Sequence, residues 1–241
     1  MYYGIMASLI VGAYILGNVN FSIILSKIKR MDVRSVGSKN PGTMNMLRSF
    51  GIGLGALTLI LDALKGSIPS ILGWWLLGKT QMFEFGSDKI GLFLGGISAT
   101  LGHCFPIVYK FKGGKGVATT IGVALVASPI VALIGFLIAV IFFFTVKIGA
   151  LSSFIATGIP LIYVSVNSFV NSEFLVGALA IILYVLVLAM HHANIVRILK
   201  GEEKQVIMFG KNKSATAIQR ENAEKSSKIS DENNFDELNS N

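Results

Sequence analysis

Charged residues and cysteine are both scarce in this sequence, and each shortage excludes a class of protein. Charged residues make up 14% of the 241 residues and hydrophobic residues 53%, whereas a water-soluble domain carries about 25% charged residues. This composition excludes a soluble globular domain and predicts an integral membrane protein. The single cysteine, Cys104, excludes an intramolecular disulfide. Because no cysteine and histidine residues lie at the spacing of metal ligands, we expect neither a metal nor another cofactor.

Acidic residues are scarce outside the C-terminal tail. Residues 1–201 hold fifteen basic but only five acidic residues, a formal excess of +10, and most of the basic residues fall in short segments between apolar runs. This pattern is typical of cytoplasmic loops, whose lysine and arginine orient a membrane protein and attract anionic lipid headgroups. It also suits anionic substrates. We expect no nucleic-acid partner, because the basic residues do not form one soluble face.

The apolar runs predict seven membrane-spanning helices. The fourth run is too long for one crossing and is interrupted at Ser128-Pro129, so we divide it and place a short helix at about 116–127. The first run is longer than the apolar region of a signal peptide, and we expect it to be retained as a span. The runs lie at about residues 3–26, 52–77, 90–109, 117–146, 150–167 and 174–190.

The distribution of lysine and arginine predicts the orientation of these helices. Six basic residues between positions 27 and 48, three between 110 and 115, and Arg197 with Lys200 all fall on one side if seven helices cross the membrane. By the positive-inside rule that side is cytoplasmic, so the N-terminus lies outside and the C-terminus inside. The predicted fold is an all-α polytopic membrane domain over residues 1–207. Residues 208–241 are too polar to bury a core, and we expect a disordered cytoplasmic tail there.

The first of three polar segments covers residues 37–48. Its glycine, proline and asparagine residues predict a turn that leads into a helix, with hydroxyl, amide and guanidinium groups close together. A capped cytoplasmic loop explains this composition equally well. The candidate substrate-binding residues of the segment are Ser38, Asn40, Gly42, Asn45 and Arg48.

The second polar segment lies between two long apolar runs and is the most specific of the three. Its glycines let the backbone bring N–H groups close to an anion, and a helix that begins at Val117 favours negative charge at its N-terminus. The segment is not the phosphate-binding loop of a nucleotide hydrolase, because Tyr109 and Gly116 stand where that loop has glycine and serine or threonine. A glycine turn whose lysines only anchor the topology is the alternative. The candidate substrate-binding residues are Lys112, Gly113, Gly114, Lys115 and Gly116, and His103 is a candidate catalytic residue upstream of them.

The third polar segment, residues 191–203, supplies His191 and Asn194 as candidate catalytic residues. On a helix that continues from the last apolar run, both lie on one face. Asp62 and Lys65 lie within the second run, and their spacing predicts an ion pair that faces the bundle and has a structural role. Close helix packing is expected at Gly51-x-x-x-Gly55 and Gly91-x-x-x-Gly95.

Taken together, these segments resemble the three motifs of the bacterial integral-membrane glycerol-3-phosphate acyltransferases that use acyl phosphate as donor. The resemblance covers about residues 1–207 and is specific through the combination and order of the motifs. Seven spans with the motifs on the cytoplasmic side are typical of that family, in agreement with the predicted orientation. The matching positions are Ser38-x-Asn40-x-Gly42-x-x-Asn45-x-x-Arg48, Gly102-His103-x-Phe105-Pro106 through Lys112-Gly113-Gly114-Lys115-Gly116, His191-x-x-Asn194-Ile195-x-Arg197 to Gly201-x-Glu203, and Asp62-x-x-Lys65-Gly66-x-x-Pro69.

The sequence departs from the usual pattern of that family in four places. Met44 stands where the first motif has threonine, with Thr43 displaced by one position, and Ala150 stands where a serine is common. Gly17-Asn18-Val19-Asn20 replaces Gly-Ser-x-Pro in the first span, and the third motif reads His-His-Ala-Asn instead of His-Arg-Glu-Asn. These departures leave the reaction class intact and bear on fine contacts, rate and acyl preference.

The resemblance implies an enzyme that moves a fatty acyl group from acyl phosphate to the 1-hydroxyl of glycerol 3-phosphate. The products are lysophosphatidic acid and phosphate, in the first step of phospholipid synthesis. Lys112, Lys115 and the backbone of residues 113–116 would hold glycerol phosphate, and the acyl chain would lie between spans. The proton passes to the departing phosphate, or a histidine, His191 or His103, accepts it as general base. The residues that would bind the acyl-phosphate head and stabilise developing negative charge are Ser38, Asn40, Arg48, His191 and Asn194.

The residues by themselves leave two other classes of function open. A transporter or channel for phosphorylated solutes also needs cationic groups at membrane depth, and a membrane scaffold needs no chemistry. An acyl-CoA donor is disfavoured, because none of the three histidines begins the His-x4-Asp signature of soluble-type acyltransferases. The expected partners are acyl phosphate, glycerol 3-phosphate and the lipid bilayer, with no obligatory protein partner. We expect a multi-pass protein of the cell membrane whose active site faces the cytoplasm.

Overall fold

The described part of the chain is built from ten α-helices, which confirms the all-α prediction. The structure is a computed structural model that describes residues 2–78, 89–203 and 205–206. The predicted tail, residues 208–241, lies outside the described residues. The helices are α1 (Tyr2–Gly17), α2 (Phe21–Ile28), α3 (Thr43–Phe50), α4 (Ile52–Gly78), α5 (Lys89–Cys104), α6 (Val117–Ala127), α7 (Pro129–Val146), α8 (Gly149–Val170), α9 (Phe174–Met190) and α10 (His192–Leu199).

Five helical segments of the described residues are long and apolar enough to cross a membrane, and α9 with α10 makes a sixth if the bent pair is one span. The short helix predicted at about 116–127 is confirmed as α6, which has 11 residues and a length of about 16 Å. That length is roughly half of the hydrocarbon core of a bilayer. Seven complete crossings therefore stay a prediction. The five segments are Tyr2–Ile28, Ile52–Gly78, Lys89–Tyr109, Pro129–Val146 and Gly149–Val170.

The first apolar run is broken between α1 and α2, where Asn18 and Asn20 stand. The Asn18 amide donates to the Tyr14 carbonyl (2.7 Å), and Asn20 caps α2 by accepting the N–H of Ile23 (3.1 Å). Asparagine side chains compete with the backbone for such bonds and favour caps over helix interiors. The run predicted as one span at 3–26 is one candidate span, Tyr2–Ile28, but it consists of two helices. The break leaves the Val19 carbonyl available to a partner from another helix.

Helix α9 does not continue into the third polar segment. The chain bends by 65° at the junction, where the His191 N–H bonds to the Leu188 carbonyl (2.9 Å) and closes the last turn. Helix α10 then begins at His192. The prediction that His191 and Asn194 lie on one face of a continuous helix is therefore wrong.

Helix α5 forms the centre of the bundle and packs against α1, α4, α6 and α9. Gly91 lies directly against the Gly73 carbonyl and Gly95 against the Pro69 carbonyl, so a β-carbon at either position would overlap α4. Close packing at Gly91-x-x-x-Gly95 is thereby confirmed. Gly51 faces open space with φ +90° and ends α3, so its predicted packing role is wrong. A left-handed backbone angle, not a close approach, requires glycine there.

Candidate active site

A cavity of about 1130 Å³ gathers residues from all three polar segments. Every candidate residue except Gly114 lines it. Gly114 lies behind the wall, where a β-carbon would overlap Nε2 of His103. The candidate residues that line the cavity are Ser38, Asn40, Gly42, Asn45, Arg48, His103, Lys112, Gly113, Lys115, Gly116, His191 and Asn194.

The Asn45 side chain organises the first polar segment from inside. Its Oδ1 accepts the Ser38 N–H (2.9 Å), and its Nδ2 donates to the carbonyls of Val33 (2.8 Å) and Val36 (3.0 Å). The residue is 2% exposed. Since both ends of the amide are engaged by the protein, Asn45 fixes the loop that carries Ser38 and leaves the contact with a ligand to its neighbours.

Two helices begin at the cavity with a glycine cap. Gly42 precedes α3 and Gly116 precedes α6, and neither helix has a side-chain cap on its first N–H groups. Thr43 Oγ1 and Arg48 Nε are buried without a hydrogen-bond partner among the described residues, and both residues line the cavity. Unpaired helix N–H groups and a guanidinium are suited to an anionic oxygen. Orphaned buried polar atoms of this kind indicate the position of a ligand.

Lys115 is tied to the third polar segment. Its Nζ donates to Asn194 Oδ1, and Asn194 Nδ2 donates to Glu203 Oε1 (2.6 Å). Glu203 also accepts from Arg197 Nε (2.6 Å). Burial lowers the pKa of Lys115, the Glu203 carboxylate raises it and Arg197 lowers it further. The lysine is therefore a partly desolvated cation whose charge is sensitive to its neighbours.

His191 is buried at the bend between α9 and α10. Its Nδ1 lies 2.8 Å from the Val187 carbonyl, which can only accept, so Nδ1 carries a proton. In the neutral ring Nε2 is then unprotonated and can accept a proton or a hydrogen bond. Phe154 packs edge-on against the ring with 5.2 Å between centroids and fixes its plane. His191 thus has the tautomer of a candidate base.

The ion pair predicted between Asp62 and Lys65 is present, with Nζ 2.8 Å from Oδ1 and both side chains 1% exposed. The pair is not isolated, because Lys65 Nζ also lies 2.6 Å from His103 Nδ1 and 2.8 Å from the Val19 carbonyl. Asp62 and His103 both line the cavity. The pair therefore joins α4, α5 and the break after α1 directly beneath the second polar segment.

The other part of the cavity is apolar. Aromatic and aliphatic side chains of α7 line it, together with Ala150 and Ala156 of α8. Such a surface suits a hydrocarbon chain and not a second polar ligand. The α7 residues are Phe136, Ala139, Val140, Phe143 and Phe144.

Arg197, Glu203, Thr43 and Asp62 line the cavity but are not among the candidates from the sequence. Arg197 and Glu203 stand in the third motif, but only the structure shows that they hold Asn194. Thr43 was noted only as a displaced threonine, and its orphaned hydroxyl has no signature in a sequence. Asp62 was assigned to packing, and the cavity that reaches it is formed by residues distant in the chain.

The arrangement combines an anion site with an apolar pocket. Cationic and N–H donors at one end suit one or two phosphate groups, and the apolar end suits an acyl chain. His191 lines the same cavity and supplies an unprotonated nitrogen. Transfer of a lipid-like group onto a phosphate-bearing acceptor is chemistry that such a cavity can support.

The chain matches the family model described as Glycerol-3-phosphate acyltransferase over residues 7–201. A relative of the same description from Aquifex aeolicus (strain VF5) is 37% identical over 196 residues, which cover 81% of this chain and 96% of the relative. The crystal structure of PlsY, an integral membrane glycerol 3-phosphate acyltransferase, in its glycerol 3-phosphate form has a TM-score of 0.71 at 35% identity, covering 85% of this chain and 96% of that chain. Its lysophosphatidic acid form has a TM-score of 0.70 at 34% identity and covers 84% and 96%.

The matched residues contain every candidate residue of the three polar segments. The likeness extends over most of both chains in sequence and in structure. This chain therefore belongs to the glycerol-3-phosphate acyltransferase family.

Proposed function

We propose that the chain acylates the 1-hydroxyl of glycerol 3-phosphate with acyl phosphate as donor, releasing lysophosphatidic acid and inorganic phosphate. Acylation of glycerol 3-phosphate for phospholipid synthesis is the activity of its family. The observation that carries the choice of substrates is the cavity, whose lining combines cationic side chains with an apolar surface from α7. PlsY has been crystallised in a glycerol 3-phosphate form and a lysophosphatidic acid form, and these molecules are a substrate and a product of this reaction.

An acyl phosphate is a mixed anhydride, so its carbonyl is already activated and no acyl-enzyme is needed. The main obstacle is that two phosphate-bearing molecules repel each other. Arg48, Lys112 and Lys115 line one cavity and offset that repulsion. Holding the hydroxyl against the carbonyl then supplies the gain from proximity, which reaches several kcal/mol in well-oriented systems.

Each substrate has its own part of the proposed site. Lys112, Lys115 and the backbone of residues 113–116 hold glycerol 3-phosphate, and the acyl chain lies along α7. The hydroxyl proton passes to the departing phosphate or to Nε2 of His191, which is unprotonated in the neutral ring. The residues proposed for the acyl-phosphate head are Ser38, Asn40, Arg48, His191 and Asn194.

The proposed orientation has seven crossings, with the N-terminus outside and the active site on the cytoplasmic face. Cysteine labelling tests it in a Cys104→Ala background, with Lys27→Cys after the first span and Ser172→Cys between α8 and α9. An impermeant thiol reagent should label position 172 in intact cells and position 27 only after permeabilisation. If α6 does not cross, both positions lie on one side and are labelled together, which contradicts seven crossings.

The reaction itself is tested with purified protein, palmitoyl phosphate and radiolabelled glycerol 3-phosphate, with palmitoyl-CoA as the comparison donor. We expect labelled lysophosphatidic acid with the phosphate donor only. Arg48→Met should lower kcat/KM by roughly a hundredfold or more, the usual cost of one charge-stabilising donor. Lys27→Met is the matched control, because Lys27 is exposed on α2 and outside the cavity.

The competing transporter function has a different readout. In proteoliposomes without any acyl donor, a transporter takes up labelled glycerol 3-phosphate, whereas the enzyme does not. Uptake that is sensitive to Arg48→Met, together with no lysophosphatidic acid, would refute the proposed reaction.

A further inference from the structure

Lys65 has three polar neighbours, one carboxylate and two hydrogen-bond acceptors. Nζ lies 2.8 Å from Asp62 Oδ1, 2.8 Å from the Val19 carbonyl and 2.6 Å from Nδ1 of His103. The lysine is 2% exposed, so no water competes for these bonds. An ammonium has three donors and no acceptor. Lys65 therefore donates to Val19 and His103, and it pairs by charge with Asp62.

The charge of Lys65 determines the tautomer of His103. Asp62 is a carboxylate within a bundle, and an ammonium at 2.8 Å is the partner that compensates its charge. An ammonium can only donate to Nδ1, so Nδ1 carries the lone pair of the ring. In the neutral imidazole the proton then resides on Nε2.

This arrangement is the reverse of a histidine that is prepared to act as base. In a base of the serine-hydrolase type a carboxylate accepts the Nδ1–H and leaves Nε2 free to take a proton. Asp62 Oδ1 lies 3.9 Å from Nδ1 of His103, beyond hydrogen-bond distance, because Lys65 occupies the position between them. His191, whose Nδ1 faces a carbonyl, has the opposite tautomer.

The protonated nitrogen of His103 points towards the second polar segment. Nε2 lies so close to Gly114 that a β-carbon there would overlap it, and His103 lines the cavity. Within the described residues Nε2 makes no hydrogen bond, and it is not among the polar atoms that are fully enclosed. A donor held on its Nδ1 side thus has no protein partner, and it belongs to a residue that lines the cavity beside the glycine loop.

We propose that Lys65 holds His103 as a neutral Nε2–H donor to an oxygen of bound glycerol 3-phosphate, and that His103 is not the general base. The inference rests on the proposed function in one respect, the placement of glycerol 3-phosphate at residues 113–116. Lys65 is a positioning residue, since it acts through the imidazole. Gly114 lacks a side chain because a β-carbon there would displace the ring.

The tautomer is measured directly on the intact protein. Nitrogen-15 spectra of the histidine-labelled wild type, in lipid bilayers, distinguish a protonated Nε2 from a protonated Nδ1. The chain has three histidines, and the His103 signals are those lost in His103→Asn. We expect a protonated Nε2 and an unprotonated Nδ1 at neutral pH. A protonated Nδ1, in a neutral or a charged ring, would overturn the proposal.

Two isosteric variants separate the two nitrogens of the ring. His103→Gln places an amide N–H near the position of Nε2 but removes the acceptor for Lys65. His103→Asn keeps an acceptor for Lys65 but has nothing at the position of Nε2. We expect His103→Asn to retain the unfolding temperature and to raise the KM for glycerol 3-phosphate roughly tenfold to a hundredfold, the range for a hydrogen bond to a charged group. His103→Gln should show the converse, a lower unfolding temperature and a KM within about fivefold of the wild type.

Other outcomes contradict the proposal in distinct ways. An equal KM for the two variants would show that Nε2 does not touch the substrate. A loss of kcat by a hundredfold or more at constant KM in both variants is the signature of a general base. The KM for acyl phosphate serves as the internal control and should stay within about twofold. If the wild type makes no lysophosphatidic acid, the proposed function fails, while the nitrogen-15 spectrum still decides the tautomer.

Discussion

Replacing Asn45 by aspartate separates a structural role from a substrate contact at one of the candidate residues. Aspartate has the shape of asparagine and still accepts the Ser38 N–H, which lies 2.9 Å from Oδ1. It lacks the N–H donors that bond to the carbonyls of Val33 (2.8 Å) and Val36 (3.0 Å). A carboxylate facing two carbonyl oxygens in a site that is 2% exposed is also poorly solvated.

The expected cost follows from the two lost bonds. Leaving a buried acceptor without its donor costs about 1–3 kcal/mol, and protonation of the aspartate restores one donor at most. We estimate a total of roughly 2–4 kcal/mol, a large fraction of the 5–15 kcal/mol that stabilises a typical domain. For a chain of this length that corresponds to a decrease in unfolding temperature of about 5–15 °C.

Thermal unfolding in detergent and initial rates at two temperatures measure this effect. We expect Asn45→Asp to unfold early and to recover much of its activity when it is assayed well below its own transition. Ser49→Ala is the matched control, because its hydroxyl makes only a 3.4 Å contact with Oδ1 of Asn45 and should cost less than about 1 kcal/mol. An unchanged unfolding temperature combined with a lost kcat would refute the structural role and return Asn45 to the substrate-binding residues.

Three further predictions concern the second and third segments. Gly114→Ala should raise the KM for glycerol 3-phosphate at least tenfold, because the β-carbon displaces the loop. Gly53→Ala is the control and should leave this KM unchanged, because no atom lies within 4 Å of a β-carbon there. Equal KM values for the two variants would contradict the close packing of Gly114 against His103. Because burial lowers the pKa of Lys115 from its usual 10.5, the lysine loses its charge on alkalinisation at a pH lower than 10.5, and kcat/KM should decrease there as pH rises. Lys115→Arg stays charged and should shift this decrease to higher pH, and an unshifted profile would exclude Lys115 as its cause. Glu203→Gln removes the carboxylate that raises the pKa of Lys115 and should shift the alkaline decrease in kcat/KM to lower pH. A shift to higher pH would contradict the assigned contact.

The helices could be predicted from the sequence wherever a local cause determines them. Apolar runs indicate spans by length alone, and the division at Ser128-Pro129 is confirmed because proline starts a helix more readily than it continues one. The break at Asn18 and Asn20 was missed. Hydropathy averages over a window in which these two residues are outnumbered by apolar neighbours, so their side-chain hydrogen bonds leave no trace in it.

The site could be predicted as a set of residues but not as a set of contacts. Motif order brought Asn45, His103 and Asn194 into one candidate list, and all three line the cavity. The use of each amide or ring nitrogen depends on partners far away in the chain. Lys65, for instance, is 38 residues from His103 and 46 from Val19. No spacing rule within one element predicts such pairs.

The break after α1 contacts the first polar segment, the second polar segment and Lys65, and it falls at Gly17-Asn18-Val19-Asn20. Asn18 Oδ1 accepts the Ile107 N–H (2.6 Å) and so holds the second polar segment, and Asn20 Nδ2 donates to the Pro41 carbonyl (3.4 Å) and so holds the first. Between them the Val19 carbonyl accepts from Lys65. A proline interrupts the backbone hydrogen bonds of a helix because it lacks an N–H. Here two asparagines interrupt them, because their side chains bond to the backbone instead. Because these amides also reach both segments, Gly17-Asn18-Val19-Asn20 forms the break and adds two contacts that hold the first and second polar segments.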